Sequence, residues 1–175
     1  MIEQIRQERL MELSIIDLYP LQEELDDRIF RLHQTDRMTT RNDRILALFV
    51  EVGEMINETK CFKYWSLKPA SSKAVILEEY GDGIHFLLSL GIDLFKVEQR
   101  IGSCDLPKDL PLTEIAILVY QQISRLKDDF SIEQYRKAFS LFLTLGERLS
   151  FTADDIRCYY LKKNQINHQR QDNHY

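Results

Sequence analysis

Residues 47–58 read ALFVEVGEMINE and residues 75–86 read VILEEYGDGIHF. Around the first, Ile45, Leu48, Phe49, Val52 and Ile56 form one apolar stripe at helical spacing, widened by Leu46 and Val50. Around the second, Ile76, Leu77, Ile84, Leu87 and Leu88 do the same. Recurrence at three and four residues predicts two helices buried over most of their circumference. With only six glycines and four prolines in 175 residues, the same periodicity carries along the chain, and the fold class is all-α: a single-domain helical bundle over residues 1–175.

Working outward, the first of these helices is expected from about Asn42 to Thr59. The second is capped by Ser72 and ends at Gly91, a C-terminal glycine signal. Upstream, one helix is expected over Ile2 to about Leu18. Another is expected from Pro20, suited to a first helical position, to about His33, followed by a polar loop from Gln34 to Asn42. Downstream, a short helix is expected over Asp93 to Arg100 and a connection over Gly102 to Pro111. Helices are then expected from Thr113 to about Lys127, from Ser131 to about Glu147 and from Thr152 to about Asn167. Ser131 with Gln134, and Thr152 with Asp155, have the spacing of capping boxes. Between Cys61 and Ser72 stands an aromatic cluster of Phe62, Tyr64 and Trp65.

A net charge of −5, from 23 basic and 28 acidic residues, argues against a protein that coats nucleic acid through a broad basic surface. The late basic group of Arg157, Lys162, Lys163 and Arg170 suits a small anionic ligand better than a duplex. Cys61, Cys104 and Cys158 stand too far apart for a cysteine zinc site, and their odd number suits a reducing cytoplasm. The charged start, MIEQIRQERLMELS, fits neither a signal nor a transit peptide, and no apolar run could span a bilayer.

The chemistry lies in the acids. Glu51 with Glu54, and Glu79 with Asp82, are i, i+3 pairs, each on one helix face. Two such helices side by side bring four carboxylates together. Among apolar residues this costs several kcal/mol unless cations balance the charge or some acids hold protons. Mg²⁺ takes a few carboxylates and accepts substrate phosphates as further ligands. On residues alone a solvated acidic face remains open, and Glu58 and Glu78 read as solvated charges. Asp82 with His85 also fits one half of a di-iron pattern, but the other pair is acid–acid, and an all-carboxylate set favours Mg²⁺ or Mn²⁺ over iron.

At these residues the sequence resembles the all-α nucleoside triphosphate pyrophosphatases, with E-x-x-E and E-x-x-D spaced as from Glu54 to Glu79. Within them it resembles the dimeric dUTPases. VEVGEMINETKCFKYWS, with its F-K-x-W cluster, looks like their first motif and ILEEYGDGIHFLLSLGIDL like their second. KKNQINHQRQDN looks like the C-terminal K-N-x-x-N-x-x-R-Q motif, and Leu21-Gln22-x-x-Leu25-Asp26 like the N-terminal one.

The resemblance implies an Mg²⁺-dependent homodimer that converts dUTP and dUDP to dUMP. It implies that Glu51, Glu54, Glu79 and Asp82 bind metal, and that Glu51 or Glu54 orients or deprotonates the attacking water. Gln22 and Asp26 are placed near the base, Trp65 and His85 line its pocket, Asn167 contacts the nucleoside, and Lys163 and Arg170 bind phosphates. Independently, Phe86 lies four residues beyond Asp82, where its ring could pack on deoxyribose and leave no room for a 2′-hydroxyl. Lys163 and Arg170 share a face if the last helix continues past Asn167, and Gln22 offers the donor and acceptor that uracil needs. Asp26 stands where relatives also have Asn, and His174-Tyr175 where Gly-Tyr is frequent. Alternative readings are a pyrophosphatase for another nucleotide such as dCTP, and a non-catalytic helical interaction protein.

Overall fold

The computed structural model describes residues 10–96 and 98–173. Along the chain run β1 (Glu12–Ser14), α1 (Tyr19–His33), α2 (Arg41–Thr59), α3 (Lys73–Asp93), β2 (Arg100–Gly102), α4 (Leu112–Arg125), α5 (Ile132–Arg148) and α6 (Ala153–Asp172). The fold is all-α, with one two-stranded ribbon added. α2 and α3 form the most extensive helix pair, and α3 also packs against α1, α5 and α6. That central position explains why α3 is buried nearly all round, from Tyr80 to Ile92.

Most helix starts follow from local chemistry. Pro20 stands in the first turn of α1, where its missing N–H costs no hydrogen bond. The Ser72 hydroxyl accepts from the Val75 amide at the start of α3. Thr152 and Asp155 form a reciprocal capping box on α6. At α5 only half of the expected box is present. Ser131 accepts from the Gln134 amide, but the Gln134 side chain donates to the carbonyl of Gln122 instead, 2.8 Å away, tying α5 to α4.

Three expectations are corrected. The helix expected over Ile2 to Leu18 is not present from Glu12 onward; its first part, residues 2–9, lies outside the described residues. Met11, Leu13 and Ile15 are buried while Glu12 and Ile16 are exposed, an alternation of two that belongs to a strand. The short helix expected over Asp93 to Arg100 is a turn followed by β2. Phe95 and Lys96 both take positive φ, and Ile101 then pairs with Leu13 across the antiparallel ribbon. Gly91 does not end α3, which continues to Asp93. It is a packing glycine, with the buried hydroxyls of Tyr19 and Tyr135 lying where a side chain would stand.

α3 and α5 approach closely through the same device. A Cβ at Gly83 would meet Phe142 at 2.7 Å, and one at Gly146 would meet the Tyr80 ring at 2.6 Å. Tyr80 and Phe142 stack at 4.3 Å with rings 6° from parallel. This packing fixes the rotation of α3 and hence which of its residues turn towards α2, α1 and α6.

Candidate functional site

Side by side, α2 and α3 bring carboxylate oxygens of Glu51, Glu79 and Asp82 within 4.8 Å of one another. Glu54, one turn beyond Glu51, is more exposed and stands outside this group of three. It is near enough to act on the others through its charge. Burial, then the negative charges of Asp82, Glu54 and Glu79, push the Glu51 carboxyl up to about 7. Burial and the neighbouring Glu54, Asp82 and Glu78 raise Glu79. Burial also raises Asp82, against the opposing pull of Lys163. Acids in such a place need a positive partner, and oxygen ligands at this spacing fit a hard divalent cation.

One positive charge is built in. Lys163 of α6 is buried, and its Nζ donates to Asp82 Oδ2 at 2.6 Å, with Glu78 at 4.0 Å. Tyr159, one turn earlier on α6, lays its ring against Gly81, in the space a side chain would fill. Glu78 is exposed as expected. Glu58 is not simply solvated: it accepts from the Ser71 hydroxyl and ties down the loop before α3.

Beside the acids opens a cavity of about 280 Å³, near the lower end for small-ligand pockets. Leu25, Ile29, Phe30 and Phe86 give it an apolar side. Glu51 and Asp82 stand at one edge, and Lys163, Asn167 and Arg170 line it from α6. α6 does continue past Asn167, to Asp172, so Lys163 and Arg170 share the expected face.

Gln22, Asp26 and His85 also line the cavity, but their polar atoms are engaged in a particular order. Gln22 Nε2 donates to Asp26 Oδ1 at 2.7 Å, and Gln22 Oε1 lies 2.8 Å from His85 Nδ1. Asp26 Oδ2 accepts from Ser89 Oγ at 2.6 Å and from Arg37 Nη1 at 2.9 Å. Both Asp26 oxygens therefore have protein donors, and Asp26 supports the Gln22 side chain while itself lining the cavity. The His85 ring stacks on Tyr160 at 4.3 Å, and burial, aided by the Lys163 charge, depresses its pKa to about 3.

Trp65 is not brought into this cavity. It lies in the loop between α2 and α3, 64% exposed, and makes edge contacts with Phe62 and Tyr64 at 5.9 and 5.0 Å. Hydrogen bonds from Ser71 to Glu58 and from Lys63 to Asn57 hold that loop to the end of α2, away from the pocket lining.

Sequence reasoning missed Ser89, Arg37, Arg44 and Asp93. Asp93 is almost fully buried and takes both Arg44 Nη atoms, at 2.7 and 3.1 Å. Ser89 had a legible signal, since it stands one turn beyond His85 on the stripe that starts at Asp82. The arginines had none, because their partners lie on other helices.

Fold and site together define a helical protein with an acid cluster set against a cationic, partly apolar pocket. Residues 14–175 match the family model described as dUTPase, and the chain belongs to the all-α dUTPase family. It is an enzyme, a dUTP diphosphatase of nucleotide metabolism, in a family that depends on metal ions. A search of curated proteins finds no match. No helix among the described residues is long and apolar enough to cross a membrane.

Proposed function

We propose that this enzyme hydrolyses dUTP and dUDP to dUMP using Mg²⁺ held by Glu51, Glu79 and Asp82, with Glu54 completing the set. The observation that carries the reading is the closeness of the three carboxylates, two of which line a pocket that Lys163 and Arg170 also line. The raised affinity of these acids for protons is the mark of a site short of positive charge, and Mn²⁺ fits the same oxygens. When bound, the ion supplies charge neutralisation, a bound water of lowered pKa and polarised phosphate oxygens.

The chain's own residues do the rest. Glu51 accepts the proton of the attacking water at a carboxylate oxygen, acting as general base. Glu54, one turn beyond Glu51 on the same helix face and more exposed, orients that water and adds negative charge. Lys163 and Arg170 bind phosphate oxygens, Arg through its forked donors. Phe86 packs against the sugar and excludes a 2′-hydroxyl. Asn167 contacts the nucleoside, and Gln22 and His85 face the base.

The whole chain acts as one domain in a cytoplasmic homodimer that does not bind nucleic acid. The free thiols of Cys61, Cys104 and Cys158 suit that compartment. The test is release of pyrophosphate from dUTP and phosphate from dUDP, with and without Mg²⁺. Both depend on the ion, and Glu51→Gln with Glu79→Gln abolishes them. Turnover that survives the double substitution overturns the reading.

A further inference from the structure

α1 and α6 lie side by side in the same direction, tied along one seam. The Tyr160 hydroxyl is shared between the Leu18 carbonyl and Gln22 Oε1, at 3.4 and 3.2 Å. Asn164 Nδ2 donates to the Leu21 carbonyl at 3.3 Å. Arg28 closes the seam from the other side. Its Nη1 donates to the His168 carbonyl at 3.2 Å and its Nη2 to the Asp172 carboxylate. Tyr160, Asn164, His168 and Asp172 recur every fourth residue, so they share one face of α6. The adjoining face brings Lys163, Asn167 and Arg170 into the pocket lining. The seam therefore sets the rotation of α6, and with it the direction of those three side chains.

Burial supports the first part of the seam but not its end. Tyr160 and Asn164 are buried. No apolar residue follows Ile166 within α6, so its last turn lacks the apolar packing from which most helix stability in proteins comes. Asp172 is also at odds with its place, since a carboxylate in the last turn meets the negative end of the helix dipole. Nothing local favours it there, and Arg28 supplies a distant reason. The guanidinium balances that charge, and its fork spans the Asp172 side chain and the backbone one turn earlier. Without Arg28 the seam stops at Asn164, and Arg170 stands more than one turn beyond it.

We propose that Arg28 is a positioning residue whose fork latches the end of α6 to α1 and so holds Arg170 at the pocket. This rests on reading Arg170 as a ligand of the substrate phosphates. Arg28 is not among the residues that line the cavity, so it acts on the ligand only through α6. Its pair with Asp172 is part-exposed, with side chains 29% and 63% accessible, and such pairs add little to global stability. The effect is local. A helix end that frays without the latch spreads Arg170 over many positions, and the cost of ordering it again falls on binding.

Calorimetry with Mg²⁺ and α,β-imido-dUTP, a non-hydrolysable analogue, tests this. Arg170→Ala is expected to weaken binding about tenfold or more. Arg28→Ala is expected to weaken it about threefold to tenfold, and Arg28→Lys, which keeps the charge but not the fork, by less. In the Arg170→Ala background, removing Arg28 is expected to change affinity less than about twofold, because nothing is left to position. Amide hydrogen exchange at residues 169–173 is expected to quicken in Arg28→Ala while α3 keeps its protection. Asp172→Ala, at an exposed position, is expected to repeat the effect in part and decides the matter if Arg28→Ala fails to fold. Binding as tight as wild type in both Arg28→Ala and Asp172→Ala, or an Arg28 effect that persists in full without Arg170, overturns the latch alone. An Arg170→Ala protein that binds as wild type overturns the phosphate role of Arg170 and the latch with it.

Discussion

Glu51 is squeezed between burial and like charge, and the consequence is measurable without any ligand. Its ordinary value of 4.5 rises to about 7 in the fold, so between those values the folded protein holds a proton that the unfolded chain has lost. Stability from this group is therefore lost as pH rises from about 4.5 to 7. Glu79 and Asp82 are shifted the same way. His85, neutral in the fold down to about 3, acts oppositely below 6.5. The Glu51 share is read as the difference between wild type and Glu51→Gln. In EDTA, thermal melts are expected to show the Gln variant gaining on wild type as pH rises through that window. The same variant is expected to lose about 10²–10⁴ in kcat for dUTP. Little of this was visible as a quantity in the sequence. The acids and their spacing were legible, whereas their burial and mutual approach depend on two helices meeting.

At the scale of elements, α6 deserves its cap because it carries Lys163, Asn167 and Arg170. Thr152→Ala removes one half of the capping box and is expected to cost about 0.5–2 kcal/mol, read from urea unfolding. The α3–α5 contact is less forgiving. Gly146→Ala forces a methyl into the ring of Tyr80, which is fully buried and whose hydroxyl donates to the Phe142 carbonyl. A loss of about 1–3 kcal/mol in the same measurement is expected. The caps at Ser72 and Thr152 were readable because a cap is local chemistry. The glycine contacts were not, since nothing near Gly91 or Gly146 in sequence names the tyrosine that fills the space. The ribbon was missed for a related reason. β1 and β2 are three residues each, too short for their alternation to outweigh the helical pattern around them, and each is a strand only because the other is beside it.

For the whole molecule, the proposed metal site links ion binding to folding. Mg²⁺ bound only by the folded state is expected to raise the melting temperature in proportion to the logarithm of its concentration, more at pH 8 than at pH 5, where protons compete for the same acids. EDTA is expected to abolish dUTP turnover, and added Mg²⁺ to restore it. Sedimentation equilibrium is expected to give twice the chain mass of 20.8 kDa. A single-chain mass at working concentrations rules out the homodimer.

The sequence by itself determined the helical class, most helix starts, the two acid pairs and, through its motifs, the family. These are properties of neighbours three or four residues apart, or of a pattern kept in order along the chain. Tertiary structure alone decided that Glu51, Glu79 and Asp82 close into one group while Glu54 stands aside. It also decided that Trp65 lies outside the pocket lining and that Asp26 is bonded to Gln22, Ser89 and Arg37. Those outcomes turn on the rotation of α3 against α2, α1 and α6, which is set by packing between residues far apart in the chain. Within that packing the four carboxylates expected from the sequence became three close acids and an exposed fourth one helical turn away.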